Sequence, residues 1–185
     1  MKLDTVEARK ALADIDDVVR RVRQSQIYDL SSQIMIFWGV LVFGGNVATW
    51  LWPPLGGTIW ICVNGLGVVG TAVLSVSGYR RTGIRSFDAR IVAAYMLFFA
   101  FGILCTSVLA HYGPRELGAF WPIYFMLFYM LAGLWFGRAF VVIGAAIVAL
   151  TLIGYFFIAS AAFLWWMAFV NGGGLIVGGL WMRRD

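Results

Sequence analysis

LSSQIMIFWGVLVFGGNVATWLWPPLGGTIWICVNGLGVVGTAVLSVSGY, residues 30–79, runs for 50 residues without one Lys, Arg, Asp or Glu. A helix needs about 20 apolar residues to cross the hydrocarbon of a bilayer, so this stretch holds two crossings. Pro53 and Pro54, followed by Gly56 and Gly57, mark the turn between them, because proline cannot continue the helical hydrogen-bond ladder. Three more charge-free intervals follow, residues 91–114, 117–137 and 139–182, of 24, 21 and 44 residues. They hold one, one and two crossings on the same arithmetic. A single helix from Leu117 to Ile158 would be about 63 Å long, twice the bilayer, so the chain must reverse near Arg138. Gly137 suits that reversal as a helix cap in a left-handed conformation.

The fold class expected is therefore all-α: a polytopic membrane protein with six transmembrane helices in three hairpins. The crossings fall at about 31–52, 56–78, 91–111, 118–136, 140–158 and 163–182, after a cytoplasmic amphipathic helix over residues 1–29. Composition points the same way. Hydrophobic residues make up 62% of the chain and charged residues 12%, against about 45–50% and 25% in soluble domains. At 185 residues there is one membrane domain and little left for a soluble one.

Orientation follows from the 14 basic residues. Lys2, Arg9, Lys10, Arg20, Arg21 and Arg23 precede the first crossing. Arg80, Arg81, Arg85 and Arg90 lie between the second and third, Arg138 between the fourth and fifth, and Arg183 and Arg184 after the sixth. The opposite side receives only Arg115. Such a bias places both termini in the cytoplasm, with the cell membrane as location, the inner one if the source is bacterial. The net charge of +5 invites a nucleic-acid reading. Short scattered basic segments form no single patch, and that reading fails. Arg80, Arg81 and Arg85, in the segment YRRTGIRSFDAR, are candidates for contact with anionic lipid headgroups. The first crossing is too long for a signal peptide and follows some thirty polar residues, so it is expected to act as an uncleaved start-transfer segment.

Tryptophans mark the two surfaces independently. Trp50, Trp52, Trp60, Trp121, Trp165 and Trp166 fall at expected external ends, and Trp38, Trp135 and Trp181 near cytoplasmic ends. An amphipathic indole prefers headgroup level, so all nine are expected in interfacial belts. Each hairpin also shows an external Trp, then glycines, then a cytoplasmic Arg. The closest echo is Val63-Asn64-Gly65-Leu66-Gly67 against Val170-Asn171-Gly172-Gly173-Gly174. That pattern fits either a threefold hairpin repeat or the bias of any helix running from outside to inside.

Within the crossings no Asp, Glu, Lys or Arg occurs, and the one His, His111, sits at a helix end. Proton relays and ion pathways need such groups. One His and two Cys assemble no common metal site, and no Ser has a His and an acid in plausible reach. The expectation is a chain that is not an enzyme, with no cofactor and no metal. Cys62 and Cys105 behave as small apolar residues, unless their depths match and they form a disulfide.

The polar atoms left in the crossings belong chiefly to Asn46, Asn64 and Asn171. They are either interhelical glue or the polar contacts of a small cavity for a neutral or lipid-like molecule. Gly172, Gly173, Gly174 and Gly178 give the sixth crossing a flat face for close packing, with Gly174-x-x-x-Gly178 at the small-residue spacing. Alternatively the three consecutive glycines break the helix and expose carbonyls to a substrate.

Residues 4–28 form an amphipathic helix. Asp4 and Glu7 make a capping box that starts it at Thr5. Ala8, Leu12, Ile15, Val19 and Val22, spaced 4, 3, 4, 3, line one apolar stripe. Asp16 and Asp17 stand four before Arg20 and Arg21, the favourable order for surface pairs. With small aliphatics and five acidic residues up to Asp17, the stripe suits a protein partner or self-pairing better than a membrane surface. Leu12, Ile15, Val19 and Val22 are thus the expected partner-facing residues. The functional expectation is an accessory or regulatory subunit, in a homo-oligomer or with a protein partner in the bilayer. The alternative is a carrier or binder of a neutral or lipid-like small molecule held at Asn64 and Asn171.

Overall fold

The computed structural model describes residues 5–82, 89–109, 112–159 and 161–183, and among them every regular element is helical. Helix α1 spans Thr5–Leu51, and a short turn at Pro53–Leu55 leads to α2 (Gly56–Thr82). Next come α3 (Ala89–Leu104), which runs into a π-helical turn at Cys105–Leu109, α4 (Pro114–Phe136) and α5 (Arg138–Phe157). Then α6 (Ala162–Met167), a second π-helical turn (Ala168–Gly173) and α7 (Gly174–Met182) follow without a break.

Five segments are long and apolar enough to cross a membrane: Tyr28–Leu51, Pro53–Gly78, Pro114–Trp135, Arg138–Phe157 and Ala162–Met182. Ala93–Val108 is apolar but shorter, about 24 Å at 1.5 Å per residue. The outer surface is what lipid requires. Ile61, Leu97, Val108, Leu134, Phe156 and Phe157 all stand exposed, an apolar area that a water-facing surface does not carry.

Two boundaries differ from the sequence expectation for identifiable reasons. The segment before Tyr28 and the first apolar span are one helix of 47 residues, about 70 Å long. Leu30, Ser31, Ser32 and Gln33 include no Pro or Gly, so nothing stops the helix there. Helix α4 starts at Pro114, four residues early, because proline at the first helical position forfeits no hydrogen bond. Between α4 and α5 a single residue reverses the chain. Gly137 has φ +142° and its N–H bonds to the Gly133 carbonyl at 3.1 Å, a backbone that only glycine adopts without strain.

The helices pack in the order α2, α1, α6–α7, α5, α4. Helix α3 lies on α4 through aromatic rings, led by Phe98 and Tyr124 at 3.9 Å, with Tyr124 Oη donating to the Phe98 carbonyl at 2.8 Å. The run α6–α7 is the most buried span and carries the core with Met35, Ile143, Ile147, Leu175 and Met182.

One antiparallel register holds α1, from Ser32 to Trp50, against α6–α7. Trp50 meets Trp165 at 5.3 Å, Phe43 meets Phe169 at 5.4 Å, and Arg183 Nε donates to Ser32 Oγ at 2.9 Å. Glycines let the two backbones touch. A Cβ on Gly172 would lie 2.6–2.7 Å from the Phe43 Cβ, Cα and N, and one on Gly39 would lie 2.7 Å from the Gly172 carbonyl oxygen. This is the close approach that small residues permit between membrane helices. On its opposite face α1 meets α2, with the Phe37 and Trp38 rings seated over Gly70 and Gly67.

Candidate functional sites

Three places carry chemistry beyond plain packing: one end of the bundle, its middle, and the helical arm that extends from it.

At the end away from the termini, Arg115, in the first turn of α4, reaches across to α5. Its guanidinium donates to the carbonyls of Tyr155 and Ile158 at 2.6 and 2.5 Å and lies over the Phe163 ring at 4.9 Å. A cation on the last carbonyls of a helix satisfies orphan acceptors and opposes the negative end of the dipole. The residues around Ala159–Ala162 contain no strong helix breaker, and Arg115 supplies the missing stop. The charge count marked Arg115 only as an exception to orientation; its role depends on a contact 40 residues away that no local pattern encodes.

At mid-bundle, Asn46 on α1, Thr151 on α5 and Asn171 in the second π turn are all buried. Asn46 donates to the Val42 carbonyl at 2.9 Å, and Asn171 Nδ2 lies 3.6 Å from the Met167 sulfur. The seam register sets Asn46 beside Phe169, and the contacts of Gly154 with Trp166 and Gly174 with Ile147 set Thr151 beside residues 169–171. Three polar side chains from three elements therefore share one level. Asn64 does not join them: it sits on α2, across α1, and donates to the Trp60 carbonyl of its own helix at 2.8 Å.

The three glycines do not break the helix. Gly172 and Gly173 lie in the π turn and Gly174 opens α7, with helical backbone at both Gly173 and Gly174. Gly172 packs on Phe43, Gly174 on Ile147 and Gly178 on Ile143 and Met35, whereas a Cβ on Gly173 would meet nothing within 4 Å. The α2 echo, residues 63–67, stays α-helical.

Two tryptophans turn inward instead of joining a belt. Trp38 Nε1 donates to Thr71 Oγ1 and Trp166 Nε1 to the Leu150 carbonyl, both at 2.9 Å, and the Trp166 ring covers Gly154. The sequence signal was a glycine on the facing helix, legible only once the register is known. Cys62 and Cys105 are free thiols.

The arm is the part of α1 before Tyr28. Leu12, Ala13, Asp14 and Ile15 are all exposed, with Leu12 at 62% and Ile15 at 57%. Four successive helical residues cover the whole circumference, so at this level the arm is uncovered by the rest of the described chain. Val19 and Val22 continue the same helix. Arg80 and Arg81 end α2, and Arg85 lies outside the described residues. Among the described residues no group of His, Cys, Asp and Glu could hold a metal ion.

No protein-family model, curated protein or solved structure matches the chain.

Proposed function

We propose that this protein is a six-span membrane subunit that works by association, its cytoplasmic helical arm binding a protein partner. Helix α3 with the π turn after it, residues 89–109, supplies the remaining crossing, third in chain order, and the basic residues around Tyr28, Arg138 and Arg183 favour both termini in the cytoplasm. The partner is a second copy or another protein. The reading assigns no catalysis, cofactor or nucleic acid to the chain.

One observation carries it: the arm continues the helix of residues 28–51 without interruption and presents Leu12 and Ile15 to solvent. Exposed aliphatics at one helical turn's spacing are the anchors by which an amphipathic helix enters a partner's groove. The glycine seams anchor the root of the arm, since α1 is held on opposite faces by α2 and α7.

The test is removal of residues 1–26, which spares Tyr28 and its contact with Phe140 at 6.0 Å. Native mass spectrometry of protein released gently from membranes should show the larger assembly for the full chain and a folded, unpartnered protein for the truncated one. An assembly that survives the truncation contradicts the reading.

A further inference from the structure

Two buried hydroxyls among the described residues, those of Thr151 and Ser75, have no hydrogen-bond partner; Ser75 lies on α2, and Thr151 belongs to the polar layer at mid-bundle. Thr49, Thr71 and Thr106 each donate to the carbonyl four residues earlier, of Gly45, Gly67 and Gly102, at 2.7–3.0 Å. That local bond is the ordinary way a helical threonine satisfies itself. Thr151 is wholly buried, yet its Oγ1 makes no hydrogen bond within the described protein. A hydroxyl left unpaired in an apolar interior costs about 1–3 kcal/mol, and the Ile147 carbonyl four residues back is the acceptor it forgoes. Its neighbour at the same level is equally poorly served. Asn171 is 4% exposed, and its amide meets a thioether at 3.6 Å, a weak acceptor.

The helix register sets the two at one level, on facing stripes of α5 and the π turn. Gly172 faces α1, Gly174 faces α5, and Gly173 faces open space. Asn171, two residues before Gly173 and therefore about half a turn around the helix, points inward between α1 and α5. Thr151 lies on the stripe of α5 that also carries Ile147 and Gly154, both turned to α6–α7. The helix is widened to a π turn at this level, a feature that recurs at functional sites.

We propose that Thr151 and Asn171 form a seat for one neutral hydroxyl group, that of a water molecule or of a small uncharged ligand, between α5 and the π turn. Hydroxyl and amide each offer a donor and an acceptor, so the guest accepts from one and donates to the other. Ile147, Met167 and Val170 around the seat are apolar, which excludes a charged guest. The seat is independent of the arm and of the association reading.

The experiment is Thr151→Val in the full chain, reconstituted in lipid nanodiscs, with Thr49→Val as control. Valine keeps the shape and puts a methyl group in place of the hydroxyl. If the hydroxyl holds a guest, Thr151→Val lowers the melting temperature by about 2–4 °C more than the control. An unchanged or higher melting temperature overturns the proposal, since removing an unpaired hydroxyl relieves a cost. A double-mutant cycle with Asn171→Leu should be non-additive, because both residues bind one guest, and additivity also overturns it. Should Asn171→Leu fail to fold, the sign of the Thr151→Val shift still decides. Native mass spectrometry separates the sources: an adduct present in the parent and absent from Thr151→Val identifies an organic ligand, and its absence from both identifies water.

Discussion

Helix α1 is two different objects on one backbone. From Tyr28 to Leu51 its opposite faces are covered by glycine-bearing neighbours, with Gly172 against Phe43 on one side and Gly67 under Trp38 on the other. Before Tyr28, at Leu12 and Ile15, the same helix carries apolar side chains that nothing in the described chain covers. A stripe that finds its partner inside the chain becomes core. One that does not is left facing solvent in the described chain, as at Leu12 and Ile15. The contrast separates what holds the fold from the surface to which the proposed function assigns association.

The covered half breaks most readily at Gly172. Gly172→Ala should destabilise the protein by about 2–3 kcal/mol, since the new methyl meets backbone atoms of Phe43 that cannot yield. The adjacent Gly173→Ala meets nothing and should be neutral or stabilising by up to about 1 kcal/mol. Thermal unfolding of the two variants side by side checks the seam; equal effects would mean that α1 and the second π turn are not in contact there.

The junction of the two halves comes next. The Tyr28 hydroxyl rests on Gly137, so Gly137→Ala combines a steric conflict with a φ of +142° and should cost about 1–3 kcal/mol. Tyr28→Phe should relieve part of that loss. An Ala variant as stable as the parent would show that the root of the arm is not seated on the α4–α5 turn.

The uncovered half should give the smallest change. Leu12→Asp with Ile15→Asp should alter stability of the isolated protein by no more than about 0.5 kcal/mol, the range of ordinary surface substitutions. A larger loss would place the stripe in the core of this chain and erase the contrast.

The spans were legible because a bilayer forbids charge, so the gaps between Asp29, Arg80, Arg90, Arg115 and Arg138 delimit the helices directly. The third hairpin turn was the least legible, as its stop is the side chain of Arg115, remote in sequence. The polar layer was read only in part. Asn46 and Asn171 stood out as amides among apolar residues, but Thr151 looked like any helical threonine, and Asn64 went to the far face of α1. Which tryptophans turn inward, and which polar residues converge, depend on the rotation of one helix against another. Hydropathy gives depth along the membrane normal and carries no information about that rotation.

The most direct measurement is labelling of a single cysteine at position 12, made as Leu12→Cys in a chain whose Cys62 and Cys105 are replaced by Ala. A membrane-impermeant maleimide is applied to inside-out native membranes and to the purified protein in nanodiscs. A covered arm in the native membrane and an open one after purification should appear as slow labelling in the first and fast labelling in the second. Equal, fast labelling in both would contradict a partner on the arm, and equal, slow labelling in both would put the stripe on lipid instead.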